Sequence, residues 1–507
     1  MELELRQETV RGWETVCRTA LEQEETGEMI VPDACPDIWQ VLDGETRLLL
    51  QRKEPQDGRG EFSGLLKTTI LYQPEGEEGV RSMEVTLPFS ASPELKGLTR
   101  RSVLHVIPRV LSVDVHLLNP RKVLVRVSYC LDIEGFAPQT RSLTACVEGG
   151  EDKGIRQKTG QLRSFQTVYV QEKNFTYQDA VVLPAGRPDP AELLRTRAQC
   201  TCTEARVIGS KLVFKGEASL QLLCRGEDGA LFTGDFHLPY SQIMDAGEDS
   251  EEGMCHMDLL FTDVKCTPSP EDRRTFQVEL ALQAQAVLRR EVTAEVLTDL
   301  YSTDYDLQPE EEACPILRLL GQGEEQETAR ETVEIGSVPG SLLDVQVRLG
   351  RASQSQEGED RVLTQEVEMM VLYDTPEGAA AVHQRAAVQH RLAGQGAGSC
   401  TFAVELLREP TASPMGEGVE VSFPLSFHWL CLERQETPVI GRVSLGEKRE
   451  AAERMPSVTL RAVRPGEDLW SVAKAYLTTD QEILDASGLS PEEVFPGQML
   501  LIPRKSS

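Results

Sequence analysis

Aromatic residues make up only 5% of the 507-residue chain, and it holds only seven histidines. Basic residues are also short: 52 Lys and Arg stand against 82 Asp and Glu, a formal net charge of −30. Phosphate backbones are held through Lys and Arg, so DNA and RNA are poor partners for this chain. Anionic lipid surfaces are disfavoured by the same Coulomb argument. No run approaches the roughly 20 apolar residues of a membrane span. The opening stretch MELELRQETVRGWETVCRTALEQEE lacks a basic segment followed by an apolar one, so no secretion signal is expected. The 12 cysteines are scattered from Cys17 to Cys431 with no CxxC pair. That pattern predicts no disulfide framework and suits a reducing cytoplasm.

Catalytic signatures are missing too. There is no phosphate-cradling GxxxxGK[ST], no HExxH and no GxSxG. Cys200, Cys202, Cys224, Cys255, His256 and Cys266 fall within about 70 residues, but zinc ligands come in tighter pairs, and buried free Cys behaves as a small hydrophobe. Acidic pairs and runs such as Glu24-Glu25 and Glu310-Glu311-Glu312 read as solvated surface in so acidic a chain. The expectation is a non-enzymatic protein without metal or cofactor.

A chain of this length makes roughly three or four domains. Three stretches share one pattern: an alternating apolar strand ending at Tyr72, Cys224 or Tyr373, a polar Gly-containing turn, then a second alternating strand. The anchors recur at about 150 residues, which reads as domain duplication. Upstream, Val31-Pro32-Asp33-Ala34-Cys35-Pro36-Asp37-Ile38 and Leu183-Pro184-Ala185-Gly186-Arg187-Pro188-Asp189-Pro190 share a Pro-x3-Pro-Asp frame, and the third copy keeps only Val338-Pro339-Gly340. Downstream, further β-type runs begin at Arg121, Thr275 and Val419. Each unit is expected to be mainly β, a sandwich or partly closed barrel. Residues 37–48 are read as one short helix after the Pro-Asp turn, and the acid-rich stretch 308–330 and the charged stretch 447–455 as linkers. The predicted units are residues 1–150, 160–307 and 328–446.

The C-terminal stretch, residues 457–504, has a different character. Leu460 and Ala462 alternate with Thr459, Arg461 and Val463, as in a short strand. Pro465-Gly466 is a turn, Asp468 an N-cap, and Leu469, Val472, Ala473 and Tyr476 form one helical stripe expected to pack on Met499, Leu500 and Ile502. Thr479 or Asp480 opens a second helix with Ile483 and Leu484, and Gly488 stops it. Phe495-Pro496-Gly497-Gln498 turns into a closing strand, giving strand–helix–helix–strand, a small α+β module.

The run from Arg464 to Ala473, followed by Glu482-Ile483-Leu484 and by Pro496-Gly497-Gln498-x-Leu500-x-Ile502-Pro503, resembles a LysM domain. The resemblance implies a ligand groove between two loops: Arg464, Pro465, Gly466, Glu467 and Asp468 facing Ser487, Gly488, Leu489 and Ser490. Ser487 stands where family members usually carry Asn, and Glu467 where Asp is more usual, departures that weigh against chitin- or peptidoglycan-type sugar binding. Leu469, Trp470 and Tyr476 are read as core rather than as a ligand platform. The frame Glu28-x-x-Val31-Pro32-Asp33-x-x-Pro36-Asp37-Ile38-x-x-Val41-Leu42, the segment Tyr301-Ser302-Thr303-Asp304-Tyr305 and a terminal LysM together resemble the SPOCS-repeat sporulation proteins of spore-forming Firmicutes, of the SpoIVA-interacting type. That resemblance implies a mother-cell scaffold at the forespore surface, whose LysM module binds a SpoIVA-like coat-basement ATPase and whose repeats meet other coat proteins. The alternative is a protein that binds peptidoglycan in the cell wall.

Overall fold

A computed structural model describes residues 3–247, 253–336, 338–449 and 458–503. The first unit runs β1 (Leu5–Ile30), β2 (Ile38–Gln56), β3 (Arg59–Pro74), β4 (Arg81–Ala91), β5 (Val103–Asn119) and β6 (Lys122–Val147). The same order follows as β7 (Ile155–Val182), β8 (Pro190–Ile208), β9 (Lys211–Gly226), β10 (Leu231–Asp245), β11 (Met254–Pro268) and β12 (Thr275–Ser302). It recurs once more as β13 (Tyr305–Glu334), β14 (Leu342–Glu357), β15 (Asp360–Thr375), β16 (Gly378–Leu392), β17 (Ser399–Leu406), β18 (Thr411–Met415) and β19 (Gly418–Lys448), with β17 and β18 sharing the place of one strand. The chain ends in β20 (Val458–Ala462), α1 (Leu469–Tyr476), α2 (Asp480–Ser487) and β21 (Met499–Pro503). The protein is mainly β with one small α+β module.

In each unit the middle three strands form an antiparallel meander: β2-β3-β4, β8-β9-β10 and β14-β15-β16. The long first and last strands pair with each other antiparallel, β1 with β6, β7 with β12 and β13 with β19. Alternation dictates which face is buried. In the first unit Leu66, Ile70 and Tyr72 of β3 meet Val123, Val125, Val127 and Tyr129 of β6, all essentially inaccessible to solvent. In the second, Leu220, Leu222 and Cys224 meet Phe276, Val278 and Leu280; in the third, Val367, Met369 and Val371 meet Val421, Phe423 and Leu425. The three anchor strands read from the sequence are thus the central strands of three meanders. The outer sheets of the first two units join edge to edge as β11-β12-β7-β1-β6-β5.

Two expectations fail. Residues 38–48 belong to strand β2, not to a helix. Bulges at Ile38/Gln40 and Val41/Asp43 shift the phase of β2, so that its apolar residues fall at helix-like spacing although the backbone is extended. Residues 308–330, read as a linker, lie within β13 and pair with β19 along their length. Glu310, Glu311 and Glu312 lie on the exposed part of that strand, while Cys314, Ala329 and Val333 are buried. Of the second expected linker, Glu447 and Lys448 close β19 and residues 450–455 lie outside the described residues. One thiol pair also departs from the free-cysteine expectation. Cys400 and Cys431, directly opposite on β17 and β19 with Cα atoms 4.0 Å apart, are joined as a disulfide.

The Pro-Asp frames are the crossovers from outer sheet to meander, and each is clamped by an arginine at the start of the unit's last strand. Arg121 donates to the Val31 and Cys35 carbonyls, at 2.8 and 2.9 Å, and to Asp33 and Asp37, at 3.2 and 3.0 Å. Arg274 does the same in the second unit, donating to the carbonyls of Leu183, Pro184 and Arg187 and to Asp189. In the third unit Glu417 takes this place, and only its carbonyl serves, accepting from Ile335 and Gly336 N–H. Asp37 therefore acts through a guanidinium rather than by capping a helix. Asp37→Ala is expected to lower stability by about 1 kcal/mol, as for a half-exposed ion pair. Arg121→Ala is expected to cost about 2 kcal/mol, because it also strands two carbonyls. Thermal melts of both variants check this ordering; equal losses would mean that the carbonyl bonds contribute nothing.

The three units meet at equivalent positions. Just past matching bulges, Asp43 pairs with Leu71, Arg195 with Leu223 and Asp344 with Leu372. Leu42, Leu71, Leu194, Leu223, Met370 and Leu372 form one apolar cluster drawn from all three units. Beside it the Arg195 side chain, 2% exposed, is ion-paired with both Asp43 and Asp344, and its Nε lies 3.1 Å from Glu45. Arg197 adds contacts to Glu45 at 3.0 Å and to Asp344 at 3.2 Å. One unit supplies the arginines and the other two the carboxylates, so the junction is specific to this arrangement of copies.

Candidate functional site

The C-terminal module folds as its sequence dictates. β20 and β21 pair antiparallel from Val458↔Pro503 to Ala462↔Met499. Asp468 caps α1, accepting from Ser471 N–H at 2.9 Å while the Ser471 hydroxyl completes the capping box. Thr479 and Glu482 build the same device on α2, and Gly488 ends that helix in the left-handed region at φ 65°. Val463, Val472, Ala473, Ile483, Leu500 and Ile502 are buried together. Met499, expected in this core, is 46% exposed, because the strand pleat that buries Leu500 and Ile502 turns it outward.

The two loops implied by the LysM resemblance border this core. Leu469 and Leu489, adjoining them, are half-buried against the same cluster. Arg464, Pro465 and Gly466 are exposed, as are Gly488 and Ser490. The polar side chains at the loop ends are already engaged. Glu467 accepts from Arg461 at 2.6 Å and from Arg464 N–H at 3.0 Å. The Ser487 hydroxyl accepts from Leu501 N–H at 2.8 Å, tying α2 to β21. Asp468 accepts from Lys158 of β7 at 3.0 Å, and that bond, with those from Ser471, holds its carboxyl down at about 2.

That last contact leads to a feature the sequence reading missed: the module is seated on the second unit. Tyr301, at the end of β12 and 4% exposed, is part of the module's own apolar cluster. Its hydroxyl donates to the Thr478 carbonyl at 2.7 Å, and its ring meets Trp470 edge-on with centroids 4.9 Å apart. Trp470 Nε1 donates to Asp299 at 2.8 Å, and Lys474 of the next turn pairs with the same carboxylate. Burial raises the Asp299 carboxyl, but Lys474 and Trp470 more than offset this and hold it below its usual range. Trp470 therefore packs on the module's core, as expected, and also docks the module on the second unit, while Tyr476 packs on the core and under Arg461. The signal was present: Tyr301 opens the Tyr-Ser-Thr-Asp-Tyr segment that stood out in the sequence, but nothing local says what a strand-end tyrosine will touch.

Residues 462–503 match the LysM domain, and residues 37–118 match the SipL, SPOCS domain. The chain carries a SipL-type SPOCS domain and a LysM domain. These tie it to sporulation and give it a LysM module. The SPOCS match runs from the start of β2 to the end of β5, the meander and fifth strand of the first unit. No curated protein and no solved structure matches the chain.

The cysteine group resolves into packing. Cys224 and Cys266 sit in one core of the second unit, Cys202 and Cys255 in another, and Cys200 packs against both. Burial pushes the Cys200, Cys224 and Cys255 thiols up to about 12, away from thiolate chemistry. His256 turns to Asp258, 3.0 Å away, and His105 of the first unit approaches the same carboxylate oxygen at 2.7 Å. Among the described residues no group of three or more His, Cys, Asp or Glu is arranged to hold a metal ion. Among them, too, no helix is long and apolar enough to cross a membrane.

Proposed function

We propose that the protein is a non-enzymatic scaffold in spore-coat assembly around the forespore, acting in the mother-cell cytoplasm. In this reading the three β units, β1–β6, β7–β12 and β13–β19, are divergent copies of one domain, and the LysM module, residues 457–504, is a protein adaptor for a SpoIVA-like coat ATPase. The copies offer surfaces to further coat components, and joining several binding faces on one chain raises local concentration without new contact chemistry.

The observation that carries this reading is the pairing, on one chain, of a SipL-type SPOCS domain with a LysM module whose groove-edge polar groups are spent internally. Ser487, where Asn is usual, gives its hydroxyl to Leu501, and Glu467 and Asp468 are bound to Arg461 and Lys158. The loops expose Arg464, Pro465, Gly466 and Gly488, a small surface suited to a protein contact. Co-sedimentation with purified cell wall is the discriminating test, run beside pull-down of a SpoIVA-like ATPase by the full chain. The expected result is capture of the ATPase, weakened by Arg464→Glu, with no pelleting on cell wall. Strong pelleting that soluble glycan fragments compete away would replace this reading with peptidoglycan binding.

A further inference from the structure

The first strands of the three units carry matching bulges, after Thr15 in β1, at Thr167 in β7 and after Leu319 in β13. Bulges splay a sheet and re-aim its side chains. Two residues before each bulge stand Trp13, Phe165 and Leu317, and all three line one cavity of about 240 Å³ at the junction of the units. Its charge runs against the rest of the molecule. In a chain of net charge −30, the cavity is lined by four arginines, Arg18, Arg141, Arg289 and Arg434, against two glutamates, Glu14 and Glu134. Glu134 is paired with Arg18, and Glu14 accepts from Gln139. Arg289, only 9% exposed, reaches Glu134 no closer than 3.7 Å and otherwise lies over the Phe136 ring. Arg141 gives one nitrogen to the Pro315 carbonyl, a neutral partner. A guanidinium removed from water without a close anion is costly, and a ligand that supplies one is bound accordingly.

We propose that this cavity is a binding site for a small organic dianion, a phosphate ester or dicarboxylate, whose charge meets the arginines and whose apolar body lies against Trp13, Phe165 and Leu317. Two arginine charges are left over by the lining glutamates, which matches a dianion. The volume holds a single ring or short chain and no polymer. Because every unit contributes to the wall, such a ligand also fastens the three units to one another.

Calorimetric titration and thermal shift of the full chain test this with phenyl phosphate, phthalate and inorganic phosphate. Phenyl phosphate or phthalate is expected to bind in the submillimolar range and raise the melting temperature; whichever binds more tightly decides between ester and carboxylate. Inorganic phosphate, which has no apolar body, is expected to bind about tenfold more weakly. Arg434→Gln, at an exposed position, is expected to weaken binding about tenfold without altering the apo melt. Leu317→Trp, also at the rim, fills the cavity and is expected to abolish binding. Failure of both organic dianions to bind at millimolar concentration, or binding unchanged in both variants, overturns the proposal. Inorganic phosphate binding as tightly as the organic dianions overturns it as well, since the apolar wall would then play no part.

Discussion

Replacing Arg195 by Met is expected to destabilise the three-unit body by about 3–5 kcal/mol, the scale of breaking a buried ion pair from one side. The Arg195 side chain is 2% exposed and is the shared partner of Asp43 and Asp344, themselves 2% and 1% exposed. Without it, two carboxylates from different units face each other at low dielectric, Asp344 left with Arg197 at 3.2 Å and Asp43 with the His383 ring at 3.5 Å. The joint variant Asp43→Leu, Arg195→Leu, Asp344→Leu is expected to recover most of the loss, because no charge is then left unpaired. The urea midpoint and hydrogen-exchange protection of β2, β8 and β14 read both results. A midpoint unmoved by Arg195→Met would show that the carboxylates do not depend on it. Acid provides an independent arm. Burial raises the Glu45 carboxyl, but Arg197, Arg195 and Arg47 more than reverse this and bring it from 4.5 down to about 2. A carboxyl lowered by folding contributes fully above its unfolded value and loses that contribution as pH falls through the folded one. Stability is therefore expected to fall between about pH 4.5 and about pH 2, by about 3 kcal/mol from this group. Glu45→Gln should flatten that part of the profile.

Tyr301→Ala is expected to unseat the LysM module. The substitution removes a ring buried within the module's own core, its edge contact with Trp470 and its bond to the Thr478 carbonyl. Truncating a buried aromatic costs about 3–5 kcal/mol, and the remaining contacts, Asp299 with Trp470 and Lys474 and Lys158 with Asp468, are half-buried or exposed polar bonds of lesser worth. Small-angle scattering should report a larger radius of gyration, and amides of α1 should exchange faster, while the exchange of β3, β9 and β15 stays unchanged. Tyr301→Phe, which keeps the ring and loses only the hydroxyl, should retain the docked state. If Tyr301→Ala leaves α1 exchange and the scattering unchanged, the polar contacts alone hold the module.

The sequence by itself determined the three repeats with their central strands and the elements of the C-terminal module. Alternation of Leu66, Ile70 and Tyr72, and of the matching runs ending at Cys224 and Tyr373, is a period-2 signal that survives in any surroundings, so the three meanders were legible. The LysM module was legible to its caps, because Asp468, Thr479 and Gly488 act on neighbours within a few residues. What local pattern could not carry, it misreported. The bulged start of β2 mimics a helix, and the acidic stretch 308–330 mimics a linker because its strand partner lies about 100 residues downstream. The Cys400–Cys431 bond likewise depends on a register between strands 31 residues apart.

Tertiary structure alone decided which unit gives the arginines and which the carboxylates at the junction, that Arg121 and Arg274 clamp the Pro-Asp crossovers, that four arginines gather at one cavity of an acidic chain, and that Tyr301 enters the core of a module more than 150 residues away. Each depends on side chains brought together from separate strands, and charge or aromaticity at one position says nothing about the partner that will neutralise or cover it. Propensity and periodicity act over one or two turns of chain, whereas burial and Coulomb energy act between whatever the fold makes adjacent.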